Sequence, residues 1–199
     1  VLLQESKGAE RSGHTAPNHR ITEKFSQVLE QTDHNRVFVS VYTQSVYRIQ
    51  EIIECCIQYD RPMIFYSKEL RELVTNLEDF NVSIPNKLVL DPSYIKEAPD
   101  NVVVIISGQG KSLFKTMSNI ANNEVEDIVF TQNDVIVIAS PVIPGVEKVF
   151  KSMENDIYKE EGRILVLDRN VLSMHPSKED LKMMLFLMKP KYYIPVKGE

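Results

Sequence analysis

Val37-Phe38-Val39-Ser40-Val41-Tyr42 is an unbroken run of β-branched and aromatic side chains with one small polar interruption. It is too short for a buried helix and reads as a buried strand. The segment 45–58 follows with apolar residues at Val46, Ile49, Ile52, Ile53, Cys56 and Ile57, the stripe of an amphipathic helix. Pro62-Met63-Ile64-Phe65-Tyr66 reads as a second strand, with proline tolerated at its first position. Ser67 is placed to cap the next helix, whose inner face is Leu70, Leu73, Val74 and Leu77. Working outward, strands are expected at 88–90, 102–106, 135–139 and 164–167, with helices at 111–121 and 146–158. This alternation predicts an α/β fold in which a parallel sheet is covered by helices on both faces.

The two ends read differently. Residues 1–17 give a short strand and a loop holding Gly8, Gly13 and Pro17, before a helix near 21–31 with Asn18 as its expected cap. Near the other end, Ser177-Lys178-Glu179-Asp180 has the spacing of a capping box. The helix it opens is expected to bury Leu181, Met184, Leu185 and Met188 and to stop at Lys189-Pro190. Tyr192-Tyr193-Ile194-Pro195-Val196 reads as a last strand. Strands at both extremes are what a segment of a longer protein would present.

Composition excludes several classes. The 199 residues are 43% hydrophobic and 26% charged, with 23 Lys+Arg against 28 Asp+Glu and a net charge of −5, which argues against disorder and against a wholly basic nucleic-acid binder. A local basic groove on an acidic body stays open. Apolar runs reach about five residues where a bilayer span needs ~20, so no membrane partner is expected. Cys55 and Cys56 are adjacent, which disfavours a disulfide between them, and no spacing of Cys and His suits a structural zinc. They read as reduced core thiols of a cytoplasmic protein.

Among local motifs, Ser107-Gly108-Gln109-Gly110-Lys111-Ser112 follows an apolar strand and opens a helix. A phosphate-wrapping loop needs glycine five positions before Gly110, where Ile105 stands. Nucleotide hydrolysis is therefore disfavoured, although an unrelated Rossmann-like nucleotide-binding module remains an alternative. Ser140-Pro141-Val142-Ile143-Pro144-Gly145 is a second strand-to-helix turn, and such turns gather on the ligand-binding edge of an open parallel sheet. His175 stands just before a helix N-terminus, while Glu5 and Lys197 each follow a strand. Taken alone, none of the three declares a chemistry.

Together these pieces resemble ribonuclease J, of the β-CASP branch of the metallo-β-lactamase superfamily. Residues 2–10, LLQESKGAE, resemble the family stretch LLSDSTNAE, and residues 43–50, TQSVYRIQ, resemble ASNIHRxQ. Residues 107–110 match the GSQG turn in composition, and 140–145 match SPIPG with one residue more. Residues 173–175, SMH, resemble SGH, and 189–199, KPKYYIPVKGE, resemble KPKYFIPVHGE, the most specific of the six. The resemblance implies a Rossmann-like three-layer β-CASP domain near 36–168 that clamps RNA. It also implies flanking segments, 1–35 and 169–199, belonging to a metallo-β-lactamase αββα domain. Family members are 5′-to-3′ exo- and endoribonucleases in which two zinc ions generate the attacking hydroxide. The family HxHxDH metal motif does not occur in these 199 residues, so no cofactor and no activity are expected of this segment by itself.

Carried over position by position, the resemblance places His175 as the catalytic histidine over the metal site and Ser173 as the phosphate-binding serine beside it. Glu5 stands at the metal-bridging aspartate. Lys197 stands at a zinc-ligating histidine, where an ammonium has no lone pair to give. Arg48, Gly108, Gln109, Gly110, Lys111, Ser112 and Ser140 complete the expected substrate-binding set, and Ser45, Tyr47 and Lys111 replace family Asn, His and an acid. Departures at the metal site with an intact scaffold imply a metal-degenerate paralogue that binds RNA and supports an active ribonuclease J partner, or self-associates. The alternative is a fully active zinc enzyme with Glu5 as ligand.

Overall fold

The computed structural model describes residues 1–15, 21–77, 84–167 and 175–198. Two compact units result, one of His19–Leu167 and one of Val1–Asn18 with Asp168–Glu199.

In the larger unit the chain runs α1 (Thr22–Gln31), β2 (Val37–Tyr42), α2 (Val46–Gln58), β3 (Met63–Phe65), α3 (Lys68–Leu77), β4 (Val89–Leu90), β5 (Val103–Gly108), α4 (Gly110–Ala121), β6 (Val135–Ile138), α5 (Glu147–Lys159) and β7 (Arg163–Val166). The six strands form one sheet in the order β4-β3-β5-β2-β6-β7, and every pairing is parallel. This is the α/β, Rossmann-like architecture that the alternation of elements predicts. Phe38, Val104, Ile106, Ile136 and Ile138 share one sheet face and pack with Leu113, Phe114 and Met117 of α4 and Phe150, Met153 and Ile157 of α5. The intervening Val37, Val39, Val41, Val103 and Ile105 point to the other face and are also fully buried. Right-handed crossovers carry α2, which moves leftward in the strand order, to the face opposite α4, which moves rightward. The sheet therefore changes winding direction between β2 and β5.

Local expectations are adjusted in three places. Asn18, the expected cap of α1, lies outside the described residues, and the Ile21 N–H at this helix start donates to Glu51 Oε2 at 2.9 Å. Helix α1 also packs against α2 within the larger unit, which begins at His19. The Ser67 hydroxyl does not turn to its own helix: it donates to Ser107 O (2.8 Å) and accepts from Ser107 N–H (3.0 Å), tying the end of β3 to the end of β5. On α3, Leu70 is buried and Leu73 and Val74 are half-buried, while the Leu77 side chain lies outside the described residues.

In the smaller unit, β1 (Leu2–Glu5) pairs parallel with β8 (Tyr193–Val196), Glu5 opposite Val196. Helix α6 (Lys178–Met188) begins with the expected capping box between Ser177 and Asp180 and ends with Lys189 in the left-handed conformation, just before Pro190. Its apolar face is the clearest correction: only Leu181 is buried, whereas Met184, Met188, Phe186 and Leu187 are exposed, the last two at 73% and 67%. A two-stranded sheet and one loop offer too little surface to cover the helix. Among the described residues no helix is long and apolar enough to cross a membrane.

Candidate functional site

The smaller unit brings two of the sequence-predicted residues together. Glu5 ends β1, and His175 stands two residues before the cap of α6. His175 Nδ1 lies 2.9 Å from Glu5 Oε1, and both side chains are partly exposed. The backbone of His175 is held from the opposite end of the unit, because Arg11 Nη2 and Thr15 Oγ1 both donate to its carbonyl. Thr15 is fixed in turn: its amide donates to Asp180 Oδ2 (2.8 Å), and its hydroxyl accepts from the Ser177 N–H (2.9 Å). The same carboxylate takes Ser177 N–H at 2.9 Å and faces His14 Nδ1 at 2.9 Å. Hydrogen bonds from the Thr15 and Ser177 amides, with His14 adding to them, hold the Asp180 carboxyl well below the usual carboxylate range. Gly8 lies against the Pro176 carbonyl so closely that a Cβ there would be 2.1 Å from the oxygen. The loop after β1 thus wraps the start of α6 and fixes the residue that faces Glu5.

Lys197 follows β8 and adopts φ +51°, next to Gly198, where a Cβ would stand 2.0 Å from Ser6 Oγ. It is exposed and, among the described residues, makes no ion pair. Ser173 lies outside the described residues.

In the larger unit the predicted residues divide into buried and open ones. Arg48 is 6% exposed and donates from Nη1 to Ala139 O at 2.9 Å. Ser140 is 1% exposed, its hydroxyl 3.1 Å from that of Ser40. Both are buried and hydrogen-bonded within the fold, Arg48 tying α2 to the end of β6 and Ser140 facing β2. A side chain's type and proximity to a strand end did not disclose that it points inward.

The turn at 107–112 is short. β5 runs to Gly108 and α4 starts at Gly110, so only Gln109 intervenes. Ser112 Oγ donates to Gln109 O (2.7 Å) and accepts from Gln109 N–H (3.3 Å), consuming its hydroxyl in the helix cap. Gly108 packs against Leu113, with a built Cβ 3.1 Å from its Cα, and its carbonyl accepts from Thr43 N–H at 3.1 Å. Gly110, at φ +47°, has open space above it, and Lys111 is exposed. Such a turn has no run of free amides to wrap a triphosphate, which disfavours the nucleotide-binding alternative.

The profile described as "Ribonuclease J, beta-CASP domain" matches residues 34–157. The chain belongs to the ribonuclease J family. It is 30% identical over 203 residues to "Ribonuclease J2" of Bacillus subtilis, covering all of this chain and 36% of that protein. It is 26% identical over 204 residues to "Ribonuclease J" of Helicobacter pylori, covering all of this chain and 29% of that protein. With "Ribonuclease J 1" of Streptococcus pyogenes it shares 25% over 205 residues, all of this chain and 36% of that protein. The chain thus spans about a third of the length of these relatives.

Members of the ribonuclease J family are metal-dependent in general. This segment holds two of the positions that the resemblance assigns to metal ligation, Glu5 and Lys197. Among the described residues no group of three or more His, Cys, Asp and Glu side chains is placed to hold an ion. Glu5 directs one oxygen to an imidazole, and a protonated Lys197 offers no lone pair.

Proposed function

We propose that this chain is the β-CASP portion, with flanking metallo-β-lactamase segments, of a ribonuclease J-type protein that acts in RNA processing through RNA binding and support of an active ribonuclease J subunit, with little cleavage of its own. The observation that carries this reading is Lys197 at a position where the family resemblance expects a zinc-ligating histidine. An ammonium there repels a dication and donates nothing to it. Glu5 and His175, the other two positions that the resemblance assigns to this site, stand 2.9 Å apart, so the three positions belong to one small unit. Boundaries near 36 and 168 between the β-CASP part and its flanks, a cytoplasmic location, and self-association or pairing with a paralogue belong to this proposal. The exposed apolar face of α6 supports the assignment of 169–199 to a larger domain.

The test is zinc content and RNA degradation by the full-length protein, alone and mixed with an active ribonuclease J. Substoichiometric zinc, weak turnover and enhancement of the partner are expected. Two tightly held zinc ions with ordinary exo- and endonucleolytic turnover, abolished by Glu5→Gln, would refute it.

A further inference from the structure

The winding reversal between β2 and β5 puts the turns that leave their carboxyl ends at a topological switch point, the place where open parallel sheets hold ligands. Thr43 N–H donates to Gly108 O at 3.1 Å, so the turns leaving these two strands are joined side by side. The first turn of α2 departs on one side and that of α4 on the other. Tyr47 stands in the first turn of α2 and is 75% exposed, although its neighbours Arg48 and Ile49 are buried. No hydrogen bond of its phenol and no ring contact is found among the described residues. Lys111 stands in the first turn of α4, exposed, beside the open space over Gly110. An extended aromatic ring held in water on a rigid helix is a surface that a planar partner covers favourably, and a cation at the start of the helix that follows the adjoining strand suits that partner's phosphate.

We infer that Tyr47 is a stacking platform for one base of single-stranded RNA at the β2/β5 switch point, with Lys111 on the adjoining phosphate. The inference rests on the RNA-binding reading and adds to it a base contact. Stacking accepts any base with a π-face, so the seat confers single-strand preference with little sequence selectivity. The rest of the turn supports this division of labour, because Ser112, Arg48 and Ser140 are committed within the fold.

The experiment is fluorescence anisotropy of full-length protein with a labelled oligoadenylate and with an abasic ribose-phosphate oligomer of the same length, over a salt series. Tyr47→Ala is expected to weaken oligoadenylate binding about tenfold, with the salt slope unchanged and abasic binding unaltered. Tyr47→Phe and Tyr47→Trp are expected to bind within about twofold of wild type, because the ring and not the hydroxyl does the stacking. Lys111→Ala is expected to reduce the salt slope by about one. Oligoadenylate binding by Tyr47→Ala equal to wild type overturns the inference and leaves the RNA reading standing. An equal loss in Tyr47→Phe, or an equal loss on the abasic oligomer, also overturns it. Absence of RNA binding by the wild-type protein defeats both.

Discussion

His175 Nδ1 sits 2.9 Å from Glu5 Oε1, joining the end of β1 to the turn before α6. That contact engages the carboxylate which the family resemblance places between two metal ions, and it does so with a side chain of the same unit. Of the family ligand positions that fall in this segment, the one held by Lys197 lacks a neutral nitrogen donor, and adding one is the most direct test. Lys197→His in the full-length protein is expected to raise bound zinc measured by mass spectrometry, and Lys197→His with Glu5→Asp to raise it further, with RNA cleavage rising in the same order. Unchanged zinc in both variants would contradict the assignment of Lys197 and Glu5 to the metal site.

Gly8 is a stringent point in the unit that holds His175. A Cβ there meets the Pro176 oxygen at 2.1 Å, and a backbone atom is a neighbour that cannot swing aside. Gly8→Ala is therefore expected to push the 175–176 segment away from the loop. It should cost about 1–3 kcal/mol through overpacking and lengthen the contact of His175 with Glu5. Thermal denaturation reads the first effect, and the imidazole signals of His175 in a histidine-labelled sample read the second. A variant with wild-type melting and an unmoved imidazole would show that the close approach is relieved at no expense.

Arg48 and Lys111 carry the same charge and have opposite roles. Arg48 is buried and donates to Ala139 O, so Arg48→Ala leaves that acceptor without its partner and is expected to cost about 1–3 kcal/mol of stability. It should leave the salt dependence of RNA binding intact. Lys111→Ala should do the reverse, melting as wild type while flattening the salt dependence. Chemical denaturation and RNA titrations of both variants check this pair, and a flattened slope in Arg48→Ala would contradict its placement inside the fold.

The sheet was legible because its strands are uniform. Val37–Tyr42 and Val103–Gly108 are apolar on both faces, so neither register nor neighbour had to be known to recognise them. The capping box at Ser177 was legible for a similar reason, since its partners lie three residues apart. What stayed hidden depends on contacts distant in the chain. Nothing local announces that Ser67 clasps Ser107, that Glu51 receives the Ile21 amide, or that Arg61 is buried with its guanidinium donating to the carbonyls of Leu29, Thr32, Asn35 and Asn101. At the candidate site the same limit applied. Glu5 and His175 were singled out, but Arg11 and Thr15, which hold His175 by its carbonyl, carry no periodicity or motif. Helix α6 failed in the other direction: its apolar stripe is real, but the packing partner that a stripe implies is not supplied by β1 and β8.

Asp180 makes the start of α6 sensitive to acid. Its carboxylate accepts from the amides of Thr15 and Ser177, and these bonds, which favour the ionised form, hold its pKa well below the ordinary value. A group depressed on folding contributes stability that is fully present above its unfolded value of about 4 and is lost as pH falls through its lower folded value. The loop from Gly8 to Thr15 should therefore stay docked on α6 from neutral pH to about 5, then loosen progressively in stronger acid. Hydrogen exchange of the Thr15 and Ser177 amides, corrected for the intrinsic pH dependence, reads the loosening directly. The cap of α4 is the internal control, because Gln109 and Ser112 hold it without an ionisable group and its protection should not follow the same acid transition. Replacing Asp180 with Asn is expected to remove the transition while weakening protection at all pH values. Equal acid sensitivity at both helix starts would assign the change to general unfolding and not to this carboxylate.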